Sequence, residues 1–521
     1  MNWLDYLIVV IYIVAFLFLG NLFKSQSGKN DYFLGGKSFG WFPLGLSVMA
    51  TQLSAISFVS APAFVGIREG GGMQWLSFEF GVPLAMLFLG LYLLPRLYKA
   101  GVVSIYEYLE NRFNRSTRLL ISLVFQVSRS FSTGVMIYAV ALILMSILGV
   151  PLWQTILIIG VVTIIYSYQG GMKAVVYGDM IQMIILMAGI VICTIAGLHY
   201  IGGWSEFIGA VDRSRLDAVY FDRFGVGDDG GFGFFPMVFG GFFLYASYYG
   251  TDQSQVQRLL SAKDFSTVRK TLLFNGLIRF PITLLYCIMG LIVGAFALST
   301  PEFGNLIPPE KIDVMIPIFI RDYLPHGLIG LLIVAILSAA MSSLSSAINS
   351  LSAVSTEDFL VGSKEVDSST YVKLSKRASL FWGVVCIVLA FFAGDIADTV
   401  IEAINKIGSV FYGPILATFI VAARFNHVGA KAMNSGLLTG VGVNIFLWLV
   451  VGESLFWFWW NAIGAIVSLV VATGAQSLLP KVNDRKTEEE DQLDFASRDN
   501  LLLVVAFVLI IIVSLSIKSW F

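Results

Sequence analysis

Fourteen stretches of about twenty mainly apolar residues follow one another along this chain, with short charged connections between them. They lie near 4–22, 41–66, 75–97, 118–148, 152–168, 176–200, 232–257, 271–299, 326–356, 378–394, 396–424, 433–451, 455–479 and 500–518; only Gly394 and Asp395 separate the tenth from the eleventh. In hydrocarbon every backbone N–H and C=O must be satisfied within the protein, so only helices and closed barrels span a bilayer. Runs of this length match helices, since a spanning strand needs only about ten residues. The chain is 57% hydrophobic and 13% charged, against about 25% charged in soluble domains. The expected fold class is therefore all-α and polytopic, with about fourteen transmembrane helices.

Basic residues set the expected orientation. With the N-terminus outside, the inside connections 23–40, 96–118, 169–175, 258–270, 357–377, 424–432 and 480–499 hold 23 of the 33 Lys and Arg, and the outside segments hold 7. Both termini are thus expected to be extracellular or periplasmic, in a multi-pass protein of the cell membrane. The first apolar run carries Asp5 and no preceding basic residue, so it reads as a retained spanning helix rather than a signal peptide. The formal net charge of −1 points to no nucleic-acid partner. Three cysteines and three scattered histidines have no ligand spacing, and no phosphate-binding loop, HExxH or nucleophile elbow occurs. These absences argue against an enzyme. The acidic run from Asp228 to Gly233 lacks the alternating ligands of a calcium loop and reads as a turn.

Polar residues inside the spans carry what function the letters reveal. Residues 338–356, SAAMSSLSSAINSLSAVST, hold ten hydroxyl or amide side chains. Ser338, Ser342, Ser345, Ser346 and Asn349 fall on one helical face. Such a stripe either packs helices closely or offers oxygens to a hard cation. The span 41–66 carries Ser47, Thr51, Gln52, Ser54 and Ser57 in its middle, as expected for a helix that unwinds and exposes carbonyls, or for a packing face of small residues. Asp179 lies about one turn inside the span 176–200, as an intramembrane carboxylate or as an interfacial one. Tyr245, Tyr248 and Tyr249 suit either a gate over a polar ligand or an interfacial belt. Lys406 is spaced to pair with Glu402; Arg279 and Arg129 either snorkel or pair with backbone carbonyls, and Arg279 alternatively meets an anionic substrate.

The segments AGVVSIYEYLENRF, GGMKAVVYGDMIQ, YGTDQSQVQR and AAMSSLSSAINS, in this order and at these distances, resemble those of the sodium:solute symporters. The resemblance covers about 5–480 and is strongest toward the monocarboxylate, vitamin and iodide branch. It implies a leucine-transporter-type core of two inverted five-helix repeats, here 41–200 and 232–424. Residues 1–40 would precede this core as an extra helix and loop. Three peripheral helices in 433–521, with the charged cytoplasmic loop 480–499, would follow it.

The same resemblance implies site residues and cargo. One sodium is expected on the carbonyls of Ala50, Leu53 and Ala339 and the hydroxyls of Ser342 and Ser343. A second-sodium candidate comprises Asp179, Ser345 and Ser346. The substrate cavity maps onto Gln52, Gln74, Ser77, Tyr245 and Asn405, with Tyr248 as inner gate. Gln74 stands where sugar-binding members carry Glu, Leu277 where some carry Lys, and Tyr245 where they carry Asn, which disfavours a galactose-like ligand. The expected activity is sodium-driven import of a monocarboxylate, vitamin-like or other small anion by alternating access, with sodium as coupling ion and no covalent chemistry. The chain is expected to work as a monomer in the lipid bilayer. A sugar or sialic acid symporter, and a sodium-responsive sensor without net transport, are the competing readings.

Overall fold

The computed structural model describes all residues except 27, 54, 229–230, 363, 394–399 and 481–496, and the side chains of 55, 56, 146 and 400–405 are likewise outside the description. The main helices, in chain order, are α1 (Trp3–Leu22), α2 (Trp41–Gln52), α3 (Ala55–Gly66), α4 (Met73–Ala100), α5 (Arg115–Leu148), α6 (Leu152–Ile201), α7 (Gly241–Thr251) and α8 (Gln253–Leu260). They continue with α9 (Phe265–Ser299), α10 (Leu328–Val354), α11 (Ser368–Phe392), α12 (Val400–Arg424), α13 (Ala430–Phe446), α14 (Phe458–Ser477) and α15 (Arg498–Ser516).

Side-chain caps mark many of the starts. Asn2 and Asp5 form a reciprocal capping box on α1, and Asn114, Asp264 and Asp367 accept from Thr117 N, Thr267 N and Thr370 N at 2.9, 2.7 and 3.0 Å. Each satisfies an N–H that has no partner within its helix.

Among the described residues, 11 helices are long and apolar enough to cross a membrane, or 12 when the bent pair α2 and α3 counts as one span. The fourteen expected spans differ from this tally at two places. The spans 152–168 and 176–200 run together as the 50-residue α6, but Gly171 interrupts it at φ 53°, ψ −148°. At about 1.5 Å per residue, 50 residues are more than twice the thickness of a bilayer core, so Gly171 separates two crossings. A Cβ there would lie 2.7 Å from the Tyr32 carbonyl, which leaves glycine as the residue that fits. The span 232–257 is broken at Asp252, whose backbone is extended, and each half is too short to count alone.

Burial ranks the helices. The most apolar window of α10 is 89% buried, whereas that of α1 is 22% buried. The serine-rich helix is therefore the axis of the bundle, and α1 presents Val14 and Phe18 outward. The α3–α9 crossing is backbone on backbone. A Cβ on Gly66 would meet Gly290 O at 2.3 Å, and one on Gly294 would meet Gly66 Cα at 2.5 Å. Small residues are what let spanning helices approach this closely.

Local details bear on several expectations. Arg258, placed by its polar surroundings in an inside connection, is 2% exposed on α8. Lys406 Nζ reaches Glu453 at 2.9 Å; the Glu402 side chain, its expected partner, lies outside the described residues. Asp228 accepts backbone N–H bonds from Phe224, Gly225 and Val226 at 2.6–3.2 Å, which is the chemistry of a turn. Most of the loop 480–499 lies outside the described residues.

Candidate functional site

Asp179 is 0% exposed, so the interfacial alternative does not apply. Its Oδ1 accepts from Ser342 Oγ at 2.7 Å, and its Oδ2 accepts from Ser47 Oγ at 2.6 Å and Arg258 Nη2 at 2.8 Å. Arg258 Nε donates to Ser47 Oγ at 2.8 Å, and its Nη2 also bonds Ser346 Oγ. One ion pair thus joins α2, α6, α8 and α10. Asp252 permits this by capping α8: its carboxylate accepts from Ser254 N at 2.8 Å, restarting the helix in a new direction. The α8 residues Gln253, Ser254, Gln255, Gln257 and Arg258 are all buried, so the inner end of the expected span 232–257 carries a buried polar network that continues into the expected connection.

The second feature is the break between α2 and α3. Helix α2 ends at Gln52 and Leu53 leaves helical geometry at φ −77°, ψ 88°. The two halves incline at 59°. Thr51 Oγ1 lies 3.3 Å from Ser346 Oγ, which brings the break against α10. Ala50, Leu53, Ala339, Ser342 and Ser343 are all buried. Ser343 Oγ donates to Ala339 O at 3.3 Å, and Ser342 Oγ donates to Asp179. With their protons turned to these acceptors, both hydroxyl oxygens keep lone pairs for a cation, and uncharged oxygens suit a hard alkali ion.

A cavity of about 190 Å³ adjoins the break, and Leu53 and Ser343 are on its wall. Gln52, Tyr245 and Tyr248, each expected in the substrate path, also line it. Tyr248 Oη donates to Thr51 O at 3.4 Å and its ring lies 6.0 Å from that of Tyr412. The cavity's charge comes from Glu79, Arg279 and Arg129. Arg279 Nη2 pairs with Glu79 Oε1 at 2.8 Å, its Nη1 bonds Gln52 Oε1 and Tyr249 Oη, and its guanidinium lies 5.2 Å from the Tyr245 ring centre. Arg129 approaches Asp252 at 3.6 Å.

Gln74 and Ser77 are not on this wall. Gln74 bonds Gly70 O at 2.6 Å and accepts from Arg223 at 3.0 Å, while Ser77 turns to Gln74 O at 2.6 Å. The Asn405 side chain lies outside the described residues. Ser345 Oγ donates to Ser342 O at 3.0 Å, within its own helix.

Residues 32–440 match the family model described as the sodium:solute symporter family. The chain belongs to the sodium:solute symporter family. The human sodium/iodide cotransporter is 29% identical over 444 residues, covering 84% of this chain and 68% of that protein. Sodium-coupled monocarboxylate transporter 1 of Xenopus laevis is 30% identical over 467 residues, covering 87% and 72%. The mouse form of that transporter is 31% identical over 443 residues, covering 83% and 70%. A solved sodium-coupled sialic acid symporter in a substrate-bound outward-open state superposes with a TM-score of 0.82 at 24% identity, covering 93% of this chain and 100% of that one. The fold is the leucine-transporter type. As a member of the sodium:solute symporter family the chain is a sodium-coupled membrane transporter and not an enzyme, and sodium is its coupling ion.

Sequence reasoning missed Glu79 and Arg258. Glu79 stands among Trp75, Phe78 and Phe80, where a lone acid reads as the end of a span. Its signal is that Arg279 is the matching lone base of another span. Arg258 belongs to the YGTDQSQVQR segment, whose single Asp at a cap position and lack of Gly or Pro after Gly250 signal a short helix.

Proposed function

We propose that this symporter imports a small organic anion, and that its coupling sodium binds at the break between α2 and α3. Carbonyls of Ala50, Leu53 and Ala339 and hydroxyls of Ser342 and Ser343 hold the ion. The observation that carries this reading is that Leu53 and Ser343, one from each side of the ion site, also form the wall of the substrate cavity. Sodium at the break fixes that wall, so ion and substrate each favour binding of the other. The repeats 41–200 and 232–424 are supported by a shared feature. Each opens on a broken helix, at Leu53 in one and at Asp252 in the other. Both termini outside, and a monomer as the working unit, complete the reading.

Charge supports an anion. The wall carries two guanidiniums, Arg129 and Arg279, and one carboxylate, Glu79, with Asp252 behind the wall 3.6 Å from Arg129. The relatives named above transport iodide and monocarboxylates, as their names state. Tyr248, with Tyr412 beside it, serves as the inner gate.

Energetics bear on the ion count. A tenfold sodium gradient supplies about 1.4 kcal/mol per ion, and each charge crossing 100 mV about 2.3 kcal/mol. One sodium with one monoanion moves no net charge and supports only about tenfold accumulation. A second sodium restores the electrical term, to a total of roughly 5 kcal/mol. At Asp179, Ser345 and Ser346 that second ion requires the Arg258 guanidinium to withdraw, because Arg258 Nη2 already bonds both Asp179 and Ser346. Loading of the second site is thus an exchange of a tethered cation for a free one.

The test is counterflow of labelled acids in proteoliposomes, after a thermal-shift screen of acids, sugars and amino acids with and without sodium. A carrier of anions gives sodium-dependent counterflow of an acid. Stabilisation by sodium with no counterflow of any solute would instead identify a sensor.

A further inference from the structure

Glu79 ends the turn Met73–Glu79 and faces the cavity with 2% of its surface exposed. Its two carboxylate oxygens differ. Oε1 accepts from Arg279 Nη2 at 2.8 Å and from Thr283 Oγ1 at 3.1 Å. Oε2 is buried and accepts from no donor among the described residues. Arg279 Nη1 is engaged with Gln52 and Tyr249 and its Nη2 with Oε1, while its Nε, buried like Oε2, also has no partner among the described residues. A buried carboxylate oxygen deprived of a donor is costly, more so than a neutral group. A ligand that fills this small cavity displaces any water that serves Oε2, and a donor on the ligand replaces the bond that is lost.

The rest of the wall restricts how that donor is presented. Trp75 and Phe78, from the same turn as Glu79, and Trp457 form apolar surface beside it. An anion that meets the guanidinium side therefore has an apolar body and, at Glu79, a point where only an N–H or O–H is accepted. We propose that Glu79 is a specificity-determining residue, and that the transported anion carries a hydroxyl or amide donor which Glu79 Oε2 accepts. Hydroxy acids and N-acyl amino acids fit this pattern; halides and unsubstituted alkanoates do not. The inference rests on the anion-importer reading and narrows it. A site built around a polar contact rejects the analogue that lacks the group more strongly than an apolar pocket rejects a missing methylene, because the site's own polar atom is left unpaired.

Matched probes test this on the purified full chain in sodium, reading the half-saturating concentration for thermal stabilisation. The pairs are propanoate against 2-hydroxypropanoate, and pentanoate against N-acetylglycine, with iodide as a donor-free anion. The donor-bearing member of each pair is expected to half-saturate at a concentration at least tenfold lower. Glu79→Gln, which can turn an amide N–H toward an acceptor, is expected to shrink that ratio below threefold. Ratios within threefold in the unaltered protein, or a folded Glu79→Gln variant that keeps the tenfold preference, would overturn the Glu79 contact while leaving the anion reading in place. Sodium-dependent stabilisation by neutral polyols, with none by any acid or iodide, would overturn both.

Discussion

Asp179 and Arg258, 79 residues apart, meet at 2.8 Å with side chains 0% and 2% exposed. Their contact joins α6 to α8, the helix after the break at Asp252, and Ser47 of α2 and Ser342 of α10 complete the carboxylate's shell. A buried pair of this kind gains little over well-packed apolar residues, but losing one partner strands a buried charge, at a cost of about 3–5 kcal/mol. Asp179→Leu alone should therefore lower the melting temperature sharply, and adding Arg258→Met should restore much of it. Additive losses in the double variant would mean that the two side chains are not energetically paired.

The same pair makes a prediction about sodium. With Arg258 removed and Asp179 kept, the carboxylate and the Ser346 hydroxyl are left without their guanidinium. Arg258→Met should then show sodium-dependent thermal stabilisation at lower sodium concentration than the unaltered chain, by roughly tenfold, the scale of a modest electrostatic competition of about 1.4 kcal/mol. Asp179→Asn in that background should abolish the gain. An unchanged sodium response in Arg258→Met would remove the exchange model.

Cavity charge is tested at Arg279. A unit charge about 6 Å from a bound anion is worth roughly 3 kcal/mol at an effective dielectric near 20. Arg279→Gln removes that charge and leaves Glu79 without its counter-ion, so uptake of acids should fall by about a hundredfold in apparent affinity. Equal affinity for acids in a folded variant would place the anion elsewhere.

The α3–α9 contact is tested by size alone. Gly66, Gly290 and Gly294 leave no room for a Cβ, with backbone atoms at 2.3–2.6 Å from the built positions. Gly294→Val should destabilise by about 1–3 kcal/mol, the range for overpacking. Since α3 is the second half of the broken helix, sodium-dependent stabilisation should weaken with it. Full stability in this variant would mean that the helices can move apart freely.

The membrane class, the span positions and the polar stripe on α10 were legible because a bilayer imposes length and composition directly. The break in 41–66 was legible as a polar, small-residue midsection. Glycine geometry was not: that Gly171 turns α6 depends on Tyr32, 139 residues earlier in the chain. The buried network on α8 was hidden for a different reason. Gln257 and Arg258 fall at the boundary between the span 232–257 and an inner connection, and composition cannot reveal that Phe33 O, Asn349 and Asp179 supply their partners. Glu79 and Arg279 are single charges in separate spans, and only the fold brings them to one cavity.

Binding of radiolabelled sodium to the purified protein in the absence of any solute bears most directly on the ion site at the helix break, since it needs no knowledge of the cargo. The unaltered chain should bind sodium saturably, and Ser342→Ala with Ser343→Ala should lose that binding while retaining a cooperative melt. Undiminished sodium binding in the folded double variant would contradict a site built on Ala50, Leu53, Ala339, Ser342 and Ser343.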